Sequence, residues 1–359
     1  MKIAVKAPGK LYLAGEYAVV EAGYPALIMA VDQYIHVTIQ KASRGTIFSS
    51  QDPHLEVPWM RMGDRIVCQT DHPYDLVESA MQIAEDYVSA LGLSLETVYQ
   101  ISITSDLDNE ATGQKYGLGS SGAITVVVVK AVLAYFNQFA NPDLIYKLAV
   151  LAQMRLQMKG SFGDIAASSF GGVIAYHSVD KGWLSGKIAE LSLLDLLETP
   201  WQGLAIESLT IPQSLTLQVG WTGAAASTDD LVSYVQDKLG QEERDLAHRQ
   251  FLSDSRQCVK KLIQACREDD TNQFKQGISD NRQLLRQFSK DMGMKIETER
   301  LEKLCQIAEE NGLAAKSSGA GGGDCGICFI ENDQQREVIT TAWAREQIQV
   351  LPLSIAERQ

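Results

Sequence analysis

Apolar and polar residues alternate along YIHVTIQK, with Ile35, Val37 and Ile39 on one side; this period of two predicts a strand within residues 26–41. The same reading gives strand segments at 2–7 and 11–14, around Ala7-Pro8-Gly9-Lys10, and strands at 45–50, 98–106 and 171–178. The period lengthens to helical spacing over 75–91, where Leu76, Ala80, Ile83, Ala84 and Tyr87 share a face. Helices are also predicted up to about 137 and over 143–159. The pattern weakens from 179 to 203, and the domain boundary is placed there, giving domains 1–190 and 191–359. LAIESLTI and LTLQVGW read as a hairpin turning at Pro212, followed by helices near 228–239, 242–268, 271–291 and 296–311. AAKSSGAGGGDCGICFIE reads as strand, glycine loop, strand; a helix at 335–346 and a short strand close the chain, and that strand is free to return to the first domain. Strands and helices mix without regular βαβ alternation, which argues for an α+β fold with helices gathered on faces of antiparallel sheets.

A length of 359 residues suits two domains, and 45% hydrophobic with 21% charged residues is an ordinary globular composition. The formal charge of −13 disfavours nucleic acid and anionic membrane as partners. An anionic ligand would then need local cations, and Lys6, Lys10, Lys115 and Lys316 lie near glycines. The start, MKIAVKAPGK, has no apolar signal core, and no apolar run is long enough to span a bilayer, so a cytoplasmic protein is expected. Six cysteines include a C-x-x-C at Cys325 and Cys328. It lies in a predicted strand, which points the two thiols apart, and no second pair completes a zinc site; all six are read as reduced thiols. His36, His54, His72, His177 and His248 show no metal spacing. The pattern fixes no oligomeric state.

The stretch KYGLGSSGAITVVVVKA, 115–131, places three glycines and two serines within Gly117–Gly122. Its letters fit G-x-G-x-x-G, but about ten polar residues separate it from the preceding strand, and a helix rather than a strand follows its own helix, so the dinucleotide context is missing. Neither Gly-Lys pair continues into a Walker A loop, and no HRD, DFG, GxSxG or HExxH occurs. Glycines let successive N–H groups curl toward one point, and a helix starting near Ser120 aims its positive end there, a combination that binds phosphate. A plain capped helix start is an equal reading of the loop alone. The valines fit a helix buried on nearly every side, with a strand over 124–129 as the alternative on propensity.

Three stretches together, KAPGKLYLAGEYAVVEAG (6–23), KYGLGSSGAITVVVVKA (115–131) and AAKSSGAGGGDCGICF (314–329), resemble the three motifs of the galactokinase–homoserine kinase–mevalonate kinase–phosphomevalonate kinase (GHMP) superfamily. The resemblance implies the GHMP kinase fold: an N-terminal two-layer α/β domain, a ferredoxin-like C-terminal α+β domain and an active site between them. GEY, K-x-GLGSSG and KSSGAGGGDCG resemble most the branch that phosphorylates phosphomevalonate with ATP and Mg2+; another small-molecule kinase of the family, such as one acting on mevalonate, is the alternative, disfavoured by Tyr17 where GEHAVV is usual.

It implies Lys10 and Asp164 as catalytic residues, and Lys115, Gly117, Leu118, Gly119, Ser120, Ser121 and Gly122 as the ATP-binding loop. Tyr17, Ser161, Ser227, Gly321 and Gly322 are candidates for holding the acceptor, with Thr228 beside Ser227; Ser121 and Glu16 are candidates for the metal. A phosphate monoester has its second pKa near ~6 and is already nucleophilic at neutral pH, so Asp164 is expected to orient Lys10 and the acceptor rather than to act as a base.

Overall fold

The computed structural model describes residues 2–69, 71–109, 112–223 and 241–359. In chain order the first sheet draws on β1 (Lys2–Ala14), β2 (Pro25–Lys41), β3 (Gly45–Ser49), β4 (Asp52–Met62), β5 (Arg65–Cys68), β6 (Tyr99–Ser105), β7 (Val173–His177) and β8 (Ala205–Leu209). Its order is β5-β4-β3-β6-β2-β7-β8, with β1 also paired to β2. The strand β2 is long enough to serve three partners: β1 along its length, β6 at Ile35–Lys41 and β7 at Pro25–Met29. Only β3 and β6 run parallel; the other pairs in this sheet are antiparallel.

Helices α1 (Asp75–Ala90), α2 (Ser120–Tyr135), α3 (Pro142–Arg155) and α4 (Gly163–Phe170) are followed by α5 (Lys181–Glu190) and α6 (Leu193–Glu198). The valine run is helix, not strand: α2 packs on β1, β2, α1, α3 and α4, and Val126 to Val129 are fully buried. Burying a valine stabilises by about 1.5–3 kcal/mol, well above a β-branched penalty of under about 0.7 kcal/mol.

The second sheet is antiparallel, in the order β10 (Ala314–Ser317), β11 (Cys325–Ile330), β9 (Thr216–Trp221), β12 (Gln349–Leu351). Helices α7 (Gln241–Glu268), α8 (Thr271–Met292), α9 (Glu299–Glu310) and α10 (Asp333–Arg345) accompany it. The hairpin expected at Pro212 does not form. β8 is a largely exposed edge strand on β7, whereas β9 is a buried strand between β11 and β12. The chain passes from the first sheet to the second between 209 and 216, because the two strands join different sheets. The last strand stays in the second sheet. The tail beyond it returns to the first, with Asp32 N–H donating to Ser354 at 3.0 Å and Ala356 N–H to Ala30 at 2.9 Å. Strand β4 is masked in the sequence because Pro53 and Pro58 interrupt an otherwise alternating Leu55, Val57, Trp59, and its partner β5 is only four residues long. Cys325 and Cys328 enter two separate core clusters, as a strand requires, and all six cysteines are free.

Candidate active site

A register shift in β1 between Pro8 and Gly9 turns Lys10 toward the first glycine loop. Its backbone N–H donates to Leu118 O at 2.8 Å and its Nζ to Gly117 O at 3.1 Å. Gly119, at φ +77°, is the residue that opens α2; a Cβ there would sit 2.8 Å from the Lys10 side chain. Gly119 has no side chain to cap α2, so the N–H groups ahead of Gly122 and the positive end of the helix dipole are left for the cleft.

Asp164 stands in the first turn of α4, and its carboxylate accepts backbone N–H bonds from Ile165, its own residue and Gly122. The loop and Asp164 are close enough that a Cβ on Gly122 would lie 2.7 Å from the carboxyl carbon. Desolvation pushes the Asp164 carboxyl above its ordinary range, opposed by the Lys10 charge and by those N–H groups. Desolvation likewise lowers Lys10, opposed by Asp164, then Asp324. Two opposite charges thus share a poorly solvated floor between two helix N-termini.

Ser161 is held at both ends. Its Oγ is 3.0 Å from Tyr12 Oη, and its carbonyl accepts from Tyr176 Oη at 2.5 Å, which in turn meets Tyr146 Oη at 2.9 Å. Beside the loop opens a cleft of about 330 Å³, with Lys115, Ser120 and Ser121 at its polar side and Ile35, Ile103 and Val77 at its apolar side. That mixture suits a phosphorylated ligand with a flat apolar part.

The second glycine loop follows β10. Gly319 approaches Lys10, whose Nζ is 3.8 Å from where a Cβ would stand. Tyr17 Oη donates to Ala320 O, and the Tyr17 ring packs on Phe288 at 5.5 Å. Gly322 N–H is already donated to Ile296 O at 2.8 Å, and a Cβ on Gly321 would meet that same oxygen at 2.1 Å; these glycines brace the loop against the chain before α9. Glu16 pairs with the fully buried Lys316, and its Oε1 also accepts from Gly319 N–H at 3.4 Å, an ion pair that joins the two domains, while its buried Oε2 has no hydrogen-bond partner. Ser227 and Thr228 lie outside the described residues.

Sequence reasoning missed Asp324 and Tyr12. Asp324 directly follows Gly323 and lies against Gly117, 2.4 Å from where a Cβ would stand; its place at the end of the glycine run was the signal. Tyr12 is two residues beyond Lys10, and its ring lies 5.6 Å from Lys10 Nζ. The period of a strand places both on one face.

Comparison with known proteins adds the family. The GHMP kinases N terminal domain matches residues 75–172 and the GHMP kinases C terminal domain matches residues 262–349. A phosphomevalonate kinase of Streptomyces sp. (strain CL190) is 36% identical over 97% of this chain and 95% of its own. The chain is a GHMP kinase. A solved Lin0012 protein from Listeria innocua matches this GHMP kinase with a TM-score of 0.92 at 36% identity, over 100% of this chain and 99% of that one. Streptococcus pneumoniae phosphomevalonate kinase in complex with phosphomevalonate and AMPPNP matches with a TM-score of 0.83 at 30% identity, over 99% and 100% of the two chains. Among the described residues, no helix is long and apolar enough to cross a membrane.

Proposed function

We propose that this GHMP kinase transfers the terminal phosphoryl group of ATP to phosphomevalonate, giving diphosphomevalonate and ADP in the mevalonate route to isoprenoids. The observation that carries the reading is the convergence of both glycine loops on Lys10, in a chain alike over nearly its whole length to the Streptomyces phosphomevalonate kinase. The start of α2, with Ser120, Ser121 and Lys115, holds the ATP phosphates, and the apolar side of the adjoining cleft takes the base. Lys10 lies where donor and acceptor phosphates meet and offsets the charge that builds as the phosphoryl group passes between them. Asp164 keeps Lys10 charged and aimed. It has no proton to remove, because the acceptor oxygen belongs to a phosphate already dianionic near pH 7. Ser161, fixed by Tyr12 and Tyr176, donates a hydrogen bond to the acceptor, and Tyr17 holds the second loop over it.

Magnesium is a hard cation that takes oxygen ligands and accompanies ATP. The donors that fit it are the Ser120 and Ser121 hydroxyls at the cleft, with ATP's own phosphates supplying the rest; Glu16 Oε1 is engaged by Lys316, which leaves its Oε2 as a further oxygen donor. When bound, the ion neutralises phosphate charge.

A coupled assay of ADP release, run with phosphomevalonate and separately with mevalonate, tests the reading. Turnover with phosphomevalonate at least about 100-fold above that with mevalonate is expected, a difference of about 2.7 kcal/mol in transition-state binding. Equal turnover, or preference for mevalonate, overturns it.

A further inference from the structure

Away from the kinase cleft, three side chains of different ligand chemistry meet at one corner of the first domain. Cys68 ends the edge strand β5, His72 lies in the connection that follows, and Glu78 is in the first turn of α1. One donor atom from each lies within 4.8 Å of the others. His72 Nε2 is 3.1 Å from Glu78 Oε2, and the His72 side chain is only 8% exposed. A tetrahedral Zn2+ holds sulfur, nitrogen and oxygen donors about 3.3–3.6 Å apart. The cluster therefore needs closing by about an ångström, within the reach of side-chain rotation.

We propose that Cys68 Sγ, His72 Nε2 and Glu78 Oε2 form a binding site for a borderline divalent cation of the Zn2+ class, with one coordination position left to water. Thiolate, imidazole and carboxylate together select zinc over magnesium or calcium. Tyr74 N–H donates to His72 Nδ1 at 3.0 Å, so in the metal-free chain Nε2 carries the ring proton and gives it to Glu78. On binding, the Cys68 thiol proton leaves to solvent, and the ring proton moves to Nδ1. Asp75 Oδ1, now 3.9 Å from Nδ1, accepts it after closing by about an ångström, which gives the carboxylate–histidine–metal arrangement that orients ligand histidines. Tyr74 N–H then loses its acceptor. Because Pro73 and Tyr74 line the cleft beside Ser120 and Ser121, a cation at this corner acts on the wall of the nucleotide site. The residues come from a strand end, a connection and a helix within eleven positions of the chain.

The test uses the full chain, stripped by chelator and free of nucleotide, titrated with Zn2+ and, as a spectroscopic probe, with Co2+. The other five cysteines are buried, so a thiolate-to-cobalt absorption band reports Cys68. One equivalent of Zn2+, a cobalt–thiolate band in the wild type and its loss in Cys68→Ser are expected. Asp75→Asn keeps the band and weakens Zn2+ about tenfold. Near-ultraviolet circular dichroism of the metal-free variants checks folding, and Glu78→Gln, which keeps the shape of the side chain, serves if Cys68→Ser unfolds; it too must weaken Zn2+ at least about tenfold. No band in the wild type, a band that persists in Cys68→Ser, or Zn2+ affinity unchanged in Glu78→Gln overturns the proposal.

Discussion

The loops Gly117–Gly122 and Gly319–Gly323 both approach Lys10, yet their glycines meet different demands. In the first loop a Cβ would strike charged side chains: Asp324 from Gly117, Lys10 from Gly119 and Asp164 from Gly122. In the second it would strike backbone, the Ile296 carbonyl from Gly321. The first loop is thin so that charge can come close to it. The second is thin so that the chain can turn and lean on its own domain, with Glu16–Lys316 and Tyr17 fastening it across to the first. A glycine-rich sequence therefore does not fix one function: one loop belongs to the chemistry and the other to the geometry of closure.

The largest expected effect comes from removing the charge that the first loop surrounds. Lys10→Met should lower kcat by about 10³-fold, since one positioned charge at a developing transition state contributes roughly 3–4 kcal/mol. A paired substitution then tests the contrast directly. Gly122→Ala displaces the Asp164 carboxylate, and a shift of about 1 Å at a reacting centre lowers rate by about 10²-fold. Gly321→Ala, at φ +76° against Ile296 O, should instead cost about 1–3 kcal/mol of stability, read as a lower melting temperature, and leave kcat within a few-fold. If Gly321→Ala lowers kcat as much as Gly122→Ala, the distinction between the loops fails.

The same contrast explains what could be read in advance. The first loop was legible because its glycines, serines and following valines form one local pattern, ending in a helix whose burial decides its structure over β-branched propensity. Lys10 and Asp164 were placed by resemblance, and the structure brings both to that loop. The second loop was legible as a loop but not in its contacts. Its partner Ile296 and the ion pair of Glu16 with Lys316 are long-range choices that no local spacing encodes. The strand pair around Pro212 failed for the same reason: two adjacent apolar runs do not say which sheet each will join.

Asp164 offers an intermediate effect with a defined sign. Its folded carboxyl pKa is raised, chiefly by desolvation. The stability this shift contributes is full below the ordinary carboxylate value of about 4 and is lost as pH rises through the folded value. Asp164→Asn, which does not titrate, should therefore gain in melting temperature relative to the wild type as pH rises above about 4, with no relative gain below it. Activity should fall about 10²-fold while the shape of the rate profile near pH 6–7 stays that of the wild type, because the acceptor's own second ionisation, near ~6, sets it. A limb in that range present in the wild type and absent from Asp164→Asn identifies a base. Asp164 then joins the proton chemistry, and the first loop does more than position charge.

The smallest effect belongs to the second loop's fastening. Tyr17 Oη donates to Ala320 O while its ring rests on Phe288 and its backbone keeps φ +62°. Tyr17→Phe removes the hydroxyl alone, about 1 kcal/mol for a hydrogen bond of this kind, and retains the aromatic contact. A loop held less firmly pays that amount whenever the acceptor binds, so KM for the acceptor should rise about fivefold at unchanged kcat. Steady-state kinetics with the acceptor varied at saturating ATP separates the two parameters. A fall in kcat comparable to that of Lys10→Met would mean the Tyr17–Ala320 bond is made tighter in the transition state than in the ground state. The second loop would then share in the chemistry assigned here to the first.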